Sequence, residues 1–316
     1  MNYKILSSVI FVIIAVTIIF SFTMDFYIQF YDPDWYGISN LKTTGDSDKN
    51  KIFIIGSSSV FSINAETINK ELNDQQKNYL VYNLADMSDT PTKRITSIDN
   101  IISHKPKLVL YGIGIWEFQN FASKSYSNLD FLLEPRMIFV SLFENTMESS
   151  IQEQIPGSPK DRTLMSLKYI LRGPDQHHHP FIKFDPSPIN SYEQIINEFG
   201  YPKSDGLNFT EKNKKIVALK QILQKFEDNG FKVILFSNPQ HKTVIDALDE
   251  DEIKSFQIML EQNAYEFELN TYFLHDKYVD LDIWRDRFHI STHPDAKIYT
   301  NDISKIIFRE LDNNVI

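Results

Sequence analysis

Short, continuous apolar runs recur along this chain, and between them the apolar residues repeat with the period of a helix. The clearest runs lie at 51–55, 79–84, 107–113 and 231–237, and a shorter one lies near 270–274. Strands that are apolar throughout are typical of a parallel sheet buried on both faces. Helical segments separate the runs, among them one over 92–102 and one that Thr210 can cap. We therefore predict an α/β domain in three layers, with helices on both sides of the sheet.

About ninety residues in the middle of the chain lack this alternation. The segment at about 119–209 is rich in proline and has no regular succession of strands and helices. We expect it to form a cap inserted into one domain spanning 51–316, with a small separate subdomain as the alternative. The preceding residues, 26–50, are expected to be an interfacial segment and a tether, because they pass from aromatic to polar composition.

The amino terminus carries the pattern of a membrane anchor. Residues 5–24 contain no charged side chain, and 15 of the 20 are apolar. A helix of that length spans ~30 Å, the thickness of a bilayer's hydrocarbon core. Six aromatic residues follow within 26–36, as expected at a membrane interface. We therefore predict one N-terminal transmembrane helix within 1–25; a cleaved signal peptide is the alternative.

The charges that flank the apolar segment predict its orientation. Lys4 precedes it, whereas Asp25, Asp32 and Asp34 follow it. Positive charge is retained on the cytoplasmic side of a membrane. We therefore expect a single-pass protein with a cytoplasmic amino terminus and an extracytoplasmic C-terminal domain.

Composition narrows the chemistry. The chain has no cysteine, and 32 Lys+Arg stand against 42 Asp+Glu, for a net charge of −10. A disulfide scaffold, a cysteine zinc site and a thiol nucleophile are therefore excluded, and the acidic balance argues against a nucleic-acid partner. No cofactor or metal is predicted, since the histidines at 177–179 are better explained as a solvated tract than as a metal site. Protein partners stay open.

Chemistry in such a sheet is expected just beyond the carboxyl ends of the strands. After the first strand comes Gly56-Ser57-Ser58, a turn that can place a serine at a helix start. A serine nucleophile needs a base, and the base needs an orienting carboxylate. Asp286 and His289 can supply both from one loop. His293 lacks an acidic residue at the same spacing, and a solvated loop position is expected for His241.

These motifs resemble those of the SGNH, or GDSL-like, hydrolases, over roughly 51–118 and 231–307. The resemblance implies a flavodoxin-like α/β/α fold, with Ser58 as nucleophile and Asp286 and His289 as its partners. The G-S-S form is similar to the membrane-linked branch that includes polysaccharide O-acetyltransferases and D-alanyl-transfer proteins. Ser88 falls where the family has its oxyanion glycine, so that the backbone N–H groups of Ser58 and Ser88 are the expected donors.

The third family block departs from the pattern. Where the family has G-x-N-D, this chain reads G-I-G-I-W-E from Gly112 to Glu117. Losing one oxyanion donor typically costs about 2.7–4 kcal/mol of barrier. Asn238, after the fourth strand, is the candidate replacement, Gly114 and Trp116 are assigned to the pocket, and Glu117 is expected at the surface.

The resemblance implies a membrane-anchored serine esterase or O-acyltransferase acting on acyl esters of a surface glycan or lipid. The alternative is a catalytically inactive relative that binds a glycan or a membrane-protein partner, which the missing asparagine motivates. A metal-dependent phosphoesterase is a third hypothesis, but it needs a ligand cluster that the sequence does not assemble.

Overall fold

The computed structural model describes residues 8, 10–12, 15, 48–86, 89–119, 186–202 and 206–312. The chain divides into two compact units, Met1–Tyr36 with Ala122–Asp175 and Gly37–Phe121 with Gln176–Ile316. Five described positions near the amino terminus belong to the first unit, and all the others belong to the second.

Two predicted segments fall largely outside the described residues. The anchor at 5–24 is described only at 8, 10–12 and 15, and the cap at 119–209 only at 119, 186–202 and 206–209. Within the part of the chain that the structure describes, no helix is both long and apolar enough to span a bilayer.

Five parallel strands form the sheet of the second unit. They are β1 (Asn50–Gly56), β2 (Tyr79–Asn83), β3 (Leu108–Ile113), β4 (Lys232–Ser237) and β5 (Asn270–Tyr272). Their order across the sheet is β2-β1-β3-β4-β5, and every pair is parallel. This is the flavodoxin-like order, in which the chain reverses its direction of winding between β1 and β3. The predicted parallel α/β fold is confirmed.

Helices follow the strands in alternation. Those described are α1 (Ala65–Asp74), α2 (Pro91–Arg94), α3 (Ile98–Ser103), α4 (Tyr192–Phe199), α5 (Lys214–Asp228), α6 (Lys242–Ile245), α7 (Glu250–Glu266) and α8 (Ile298–Asp312). Successive strand residues point to opposite faces. Phe53 and Ile55 therefore join a core with α3, α5 and α7, whereas Ile52 and Ile54 join one with α1 and α8. Each face of the sheet is covered, which gives the three layers.

Two local expectations are corrected. The helix expected from Thr210 begins at Lys214, because Asn213 is its cap and accepts the N–H of Lys215 at 3.0 Å. The single helix expected over 92–102 is two short ones. Between them the Ser97 hydroxyl donates to the carbonyl oxygen of Arg94 at 3.2 Å, a local bond of the kind that competes with the helical ladder.

The loop that leaves β5 is tied to the end of β4. Ser237 Oγ accepts the N–H groups of Leu274 and His275 at 2.7 and 3.0 Å, and its own proton is then available to His275 Nδ1 at 3.0 Å. Further along, the N–H of His241 donates to the carbonyl oxygen of Arg287 at 3.3 Å. These bonds hold the loop before α8 at the carboxyl edge of the sheet.

Candidate active site

The turn after β1 is built on Gly56. Its φ is +147°, and a Cβ placed there would lie 2.6 Å from the carbonyl oxygen of Gly112 and 2.8 Å from Val60 Cγ2. A side chain is therefore excluded by both conformation and space. The chain then turns through Ser57 into a short 3₁₀ helix, Ser58–Val60. Because β1 lies between β2 and β3, this turn presents the half-buried Ser58 near the middle of the sheet edge.

The loop before α8 brings a histidine and a carboxylate to the same serine. His289 Nε2 lies 2.8 Å from Ser58 Oγ, although the two residues are 231 positions apart. His289 Nδ1 lies 2.7 and 2.8 Å from the two carboxylate oxygens of Asp286. The structure therefore joins Ser58, His289 and Asp286 in one continuous hydrogen-bonded chain.

A tight turn brings together Asp286 and His289, which are three positions apart in the chain. The N–H groups of Phe288 and His289 donate to Asp286 Oδ1 at 2.9 and 3.0 Å. The N–H of Arg285 donates to the carbonyl oxygen of His289 at 2.9 Å. The carboxylate and the imidazole are thus positioned by the same few residues, which limits their freedom relative to each other.

The electrostatics of this turn favour an ionised Asp286. Burial alone would raise its pKa, but the hydrogen bond and charge of His289 and the N–H of Phe288 outweigh burial and hold the pKa below its ordinary value. An ionised carboxylate accepts a hydrogen bond from the N–H at His289 Nδ1, so the neutral imidazole carries its proton there and Nε2 can accept the hydrogen bond of the Ser58 hydroxyl. This is the tautomer that a general base requires.

Only some of the residues expected near the oxyanion lie in the described part of the chain. Ser88 lies outside the described residues. The N–H of Gly114 donates to Glu117 Oε1 at 2.9 Å, and Asn238, only 1% exposed, directs Nδ2 toward Ser57 Oγ at 3.4 Å and Glu117 Oε1 at 3.5 Å. Gly114 and Asn238 are thus hydrogen-bonded inside the protein, and their places in the oxyanion or substrate pocket stay predictions.

Trp116 packs beside the loop that carries Asp286 and His289. Its ring meets Phe288 edge to face at 6.1 Å between centroids, and the guanidinium of Arg287 lies 5.2 Å from the centroid of the same Phe288 ring. Phe288 is the residue between Asp286 and His289 whose N–H contacts the carboxylate. Trp116 therefore packs against the turn that carries the candidate base, and its assignment to the pocket stays a prediction.

Glu117 contradicts its predicted surface position. It belongs to the 3₁₀ helix Ile115–Phe118 directly after β3 and is 9% exposed. Burial, followed by the charge of Asp89, raises its pKa to about 8 despite the hydrogen bonds from Gly114 and Ser57. The only sequence signal for this buried position is that Glu117 follows shortly after β3, at the same edge of the sheet as Ser58.

The histidines at 177–179 lie outside the described residues, whereas His241 and His293 have structural positions. His241, expected in a solvated loop, is 4% exposed and lies between the rings of Tyr192 and Trp284, at 5.6 and 5.5 Å. These three residues line a small cavity of about 180 Å³. His293 caps the turn before α8, where its Nδ1 accepts the N–H of Asp295 at 3.2 Å. Among the described residues, no three metal-ligating side chains cluster together.

No family model matches the chain, and no curated protein matches it in sequence. Solved structures of similar fold include a psychrotrophic esterase, EstA, from Pseudoalteromonas sp., with a TM-score of 0.44 and 11% identity over 84% of this chain and 100% of that one. A GDSL-like lipase from Bacteroides thetaiotaomicron has a TM-score of 0.42 and 11% identity over 90% of this chain and 100% of that one. Because one fold serves many functions, the function has to be argued from the site.

Proposed function

We propose that this chain is an SGNH-like serine hydrolase or O-acyltransferase that cleaves an acyl ester through Ser58. The observation that carries the proposal is the bonded series from Ser58 Oγ to His289 Nε2 at 2.8 Å and from His289 Nδ1 to Asp286 at 2.7 Å. A serine in a capping turn needs no imidazole behind it, and an imidazole in a loop needs no carboxylate beside it. Together they form the arrangement that activates a hydroxyl.

The reaction follows from the direction of each hydrogen bond. His289 Nε2 takes the proton of Ser58 as Oγ forms a bond to the ester carbonyl carbon. The tetrahedral species then expels its alcohol, which receives the proton from His289, and an acyl-serine remains. Water or a sugar hydroxyl gives its proton to His289 and attacks the acyl-serine, which restores Ser58 and yields an acid or a new ester.

The negative charge of the tetrahedral species needs donors near Ser58. The N–H of Ser58 stands at the first residue of the helix Ser58–Val60, where N–H groups have no partner in the preceding turn. We propose this N–H and that of Ser88 as the oxyanion donors. With the third-block asparagine absent, a slower reaction than in a site with three donors is expected.

The substrate class and the location are part of the same proposal. The anchor at 5–24 and its flanking charges favour a domain held outside the cytoplasmic membrane. An acyl ester on a surface glycan or lipid is the substrate within reach of such a domain. Protease added to intact cells or spheroplasts should then degrade the C-terminal domain, whereas a cytoplasmic marker stays intact. Protection of the domain until the membrane is disrupted would contradict this orientation.

Replacing Ser58 with alanine should abolish covalent labelling by a fluorophosphonate probe. The probe reacts only with a hydroxyl made nucleophilic by a neighbouring base, so the loss should be complete and the fold unchanged by circular dichroism. Ser59→Ala, in the next position of the same turn, is the matched control and should label like the wild-type protein. Undiminished labelling of Ser58→Ala would refute the assignment of the nucleophile.

The alternative is a binding protein without turnover, and the engagement of Gly114 and Asn238 inside the protein is the observation in its favour. The two functions differ in what happens after labelling. An enzyme should also release alcohol from a chromogenic acetate ester in multiple turnovers, and Ser58→Ala should stop that release. A silent relative should give no release above the rate of Ser58→Ala.

A further inference from the structure

A buried polar cluster adjoins the candidate nucleophile through the preceding residue, Ser57. It consists of Ser57, Gly114, Glu117 and Asn238, which come from the turns after β1, β3 and β4. The N–H of Asn238 also donates to the carbonyl oxygen of Ile113 at 2.8 Å. Three adjacent strands of the sheet are therefore linked at their carboxyl ends by these four residues.

The centre of the cluster is the Glu117 carboxyl group. Its Oε1 accepts the N–H of Gly114 at 2.9 Å and lies 3.5 Å from Asn238 Nδ2, which in turn lies 3.4 Å from Ser57 Oγ. A Cβ at Gly114 would lie 3.0 Å from Oε1, so that glycine leaves the space that the carboxyl fills. Ser57 precedes Ser58 and is the N-cap residue of the 3₁₀ helix Ser58–Val60.

We propose that Glu117 is a positioning residue that holds the turn carrying Ser58 through Asn238 and Ser57. The proposal rests on the proposed function, since it concerns the same nucleophile. It also explains the departure in the third block: a glycine and a buried carboxyl three residues later form a bonded pair where the family has an asparagine. Glu117 contacts no reacting atom, so its effect passes through the geometry of the turn.

The protonation state of Glu117 follows from its surroundings. Burial raises its pKa to about 8, the nearby Asp89 adds to this effect, and the hydrogen bonds of Gly114 and Ser57 together with the charge of Lys215 oppose it. Tyr111, whose own pKa is raised by burial and by the charges of Asp89 and Glu117, adds no cation. The carboxyl is thus neutral at pH 7 and ionises above pH 8, where a buried charge would strain the cluster.

Two substitutions separate the neutral carboxyl from the ionised one. Glu117→Gln keeps an oxygen acceptor for Gly114 and cannot ionise. It should retain near wild-type fluorophosphonate labelling at pH 7 and keep that rate at pH 9, where the wild-type rate should be about tenfold below its value at pH 7. Glu117→Leu leaves the Gly114 N–H without an acceptor and should label about 100-fold more slowly at pH 7. Glu66→Gln, on the exposed face of α1, is the matched control.

Each outcome decides the proposal. An alkaline decline in Glu117→Gln as steep as in the wild type, or a folded Glu117→Leu variant that labels at the wild-type rate, would overturn it. If the wild type does not label at all, the proposed function fails separately. In that case isotope-edited infrared spectra still report on Glu117: a protonated carboxyl signal at pH 7 that is absent from Glu117→Gln supports the cluster, and no such signal overturns it.

Discussion

Changing Asp286 to asparagine is expected to lower kcat by about four orders of magnitude, the loss known for this substitution in a Ser-His-Asp site. The carboxylate accepts a hydrogen bond from the N–H at His289 Nδ1, with 2.7 Å between Nδ1 and Oδ1. An asparagine whose amide nitrogen faces Nδ1 donates instead, which moves the imidazole proton to Nε2. That nitrogen then has no lone pair for the Ser58 hydroxyl, although the three side chains keep their places.

The measurement is steady-state hydrolysis of a chromogenic acetate ester at pH 7 to 8. Asp282→Asn is the matched control, because Asp282 is an exposed carboxylate four residues earlier in the chain and its replacement should change kcat little. The substrate's KM should change much less than kcat, since Asp286 acts on the transition state rather than on substrate binding. A loss of less than tenfold would show that Asp286 does not orient the base.

The parallel fold could be predicted because its signal is local. Each strand is an apolar run, and the alternation with helices fixes how such a sheet is covered. The predicted helix over 92–102 failed for a reason that is also local: the bond of Ser97 to Arg94 at 3.2 Å ends the first helix. Thr210 was expected as a cap, but Asn213 also donates to the carbonyl oxygen of Phe118 at 3.0 Å, a contact across 95 positions that no local pattern reveals.

One part of the candidate site could likewise be predicted from the sequence, and another part could not. Residues that follow strands in a parallel sheet meet at one edge, so the approach of Ser58 and His289 could be expected from the sequence. The burial of Glu117 could not, because a glutamate between aromatic residues is ordinarily exposed. It depends on the space left at Gly114 and on Asn238 from another strand. Similarly, His241 is buried by Tyr192 and Trp284, which lie far from it in sequence.

Replacing Arg94 with methionine is expected to destabilise the domain by about 3–5 kcal/mol, the usual cost of removing one partner from a buried ion pair. Arg94 and Asp89 are 1% and 2% exposed, and the Arg94 Nε and one terminal nitrogen lie 2.7 and 2.6 Å from Asp89 Oδ2. Arg94 also donates to the carbonyl oxygen of Leu84 at 3.2 Å. Methionine preserves much of the volume, so the loss should come from the stranded carboxylate.

The pH dependence of folding stability should show whether the unpaired Asp89 carboxylate causes the loss. Burial already raises the pKa of Asp89 to about 6 although Arg94 and Lys93 lower it. Without Arg94 the pKa should rise further, so the folded state holds a proton that the unfolded chain releases near its ordinary value of 3.8. Stability of the variant should therefore fall more steeply than that of the wild type as pH increases from 5 to 8. Urea unfolding at these pH values measures the difference.

A second substitution decides between charge and packing. If the cost of Arg94→Met is an unpaired buried charge, the double variant Arg94→Met/Asp89→Leu should recover most of the lost stability and lose the steep pH dependence, because it removes that charge. If the cost is packing, the two losses should add, and the single variant Arg94→Met should show the pH dependence of the wild type. Recovery would mean that the pair is needed because each charge is buried, and that the loop after β2 could be held by apolar contacts alone.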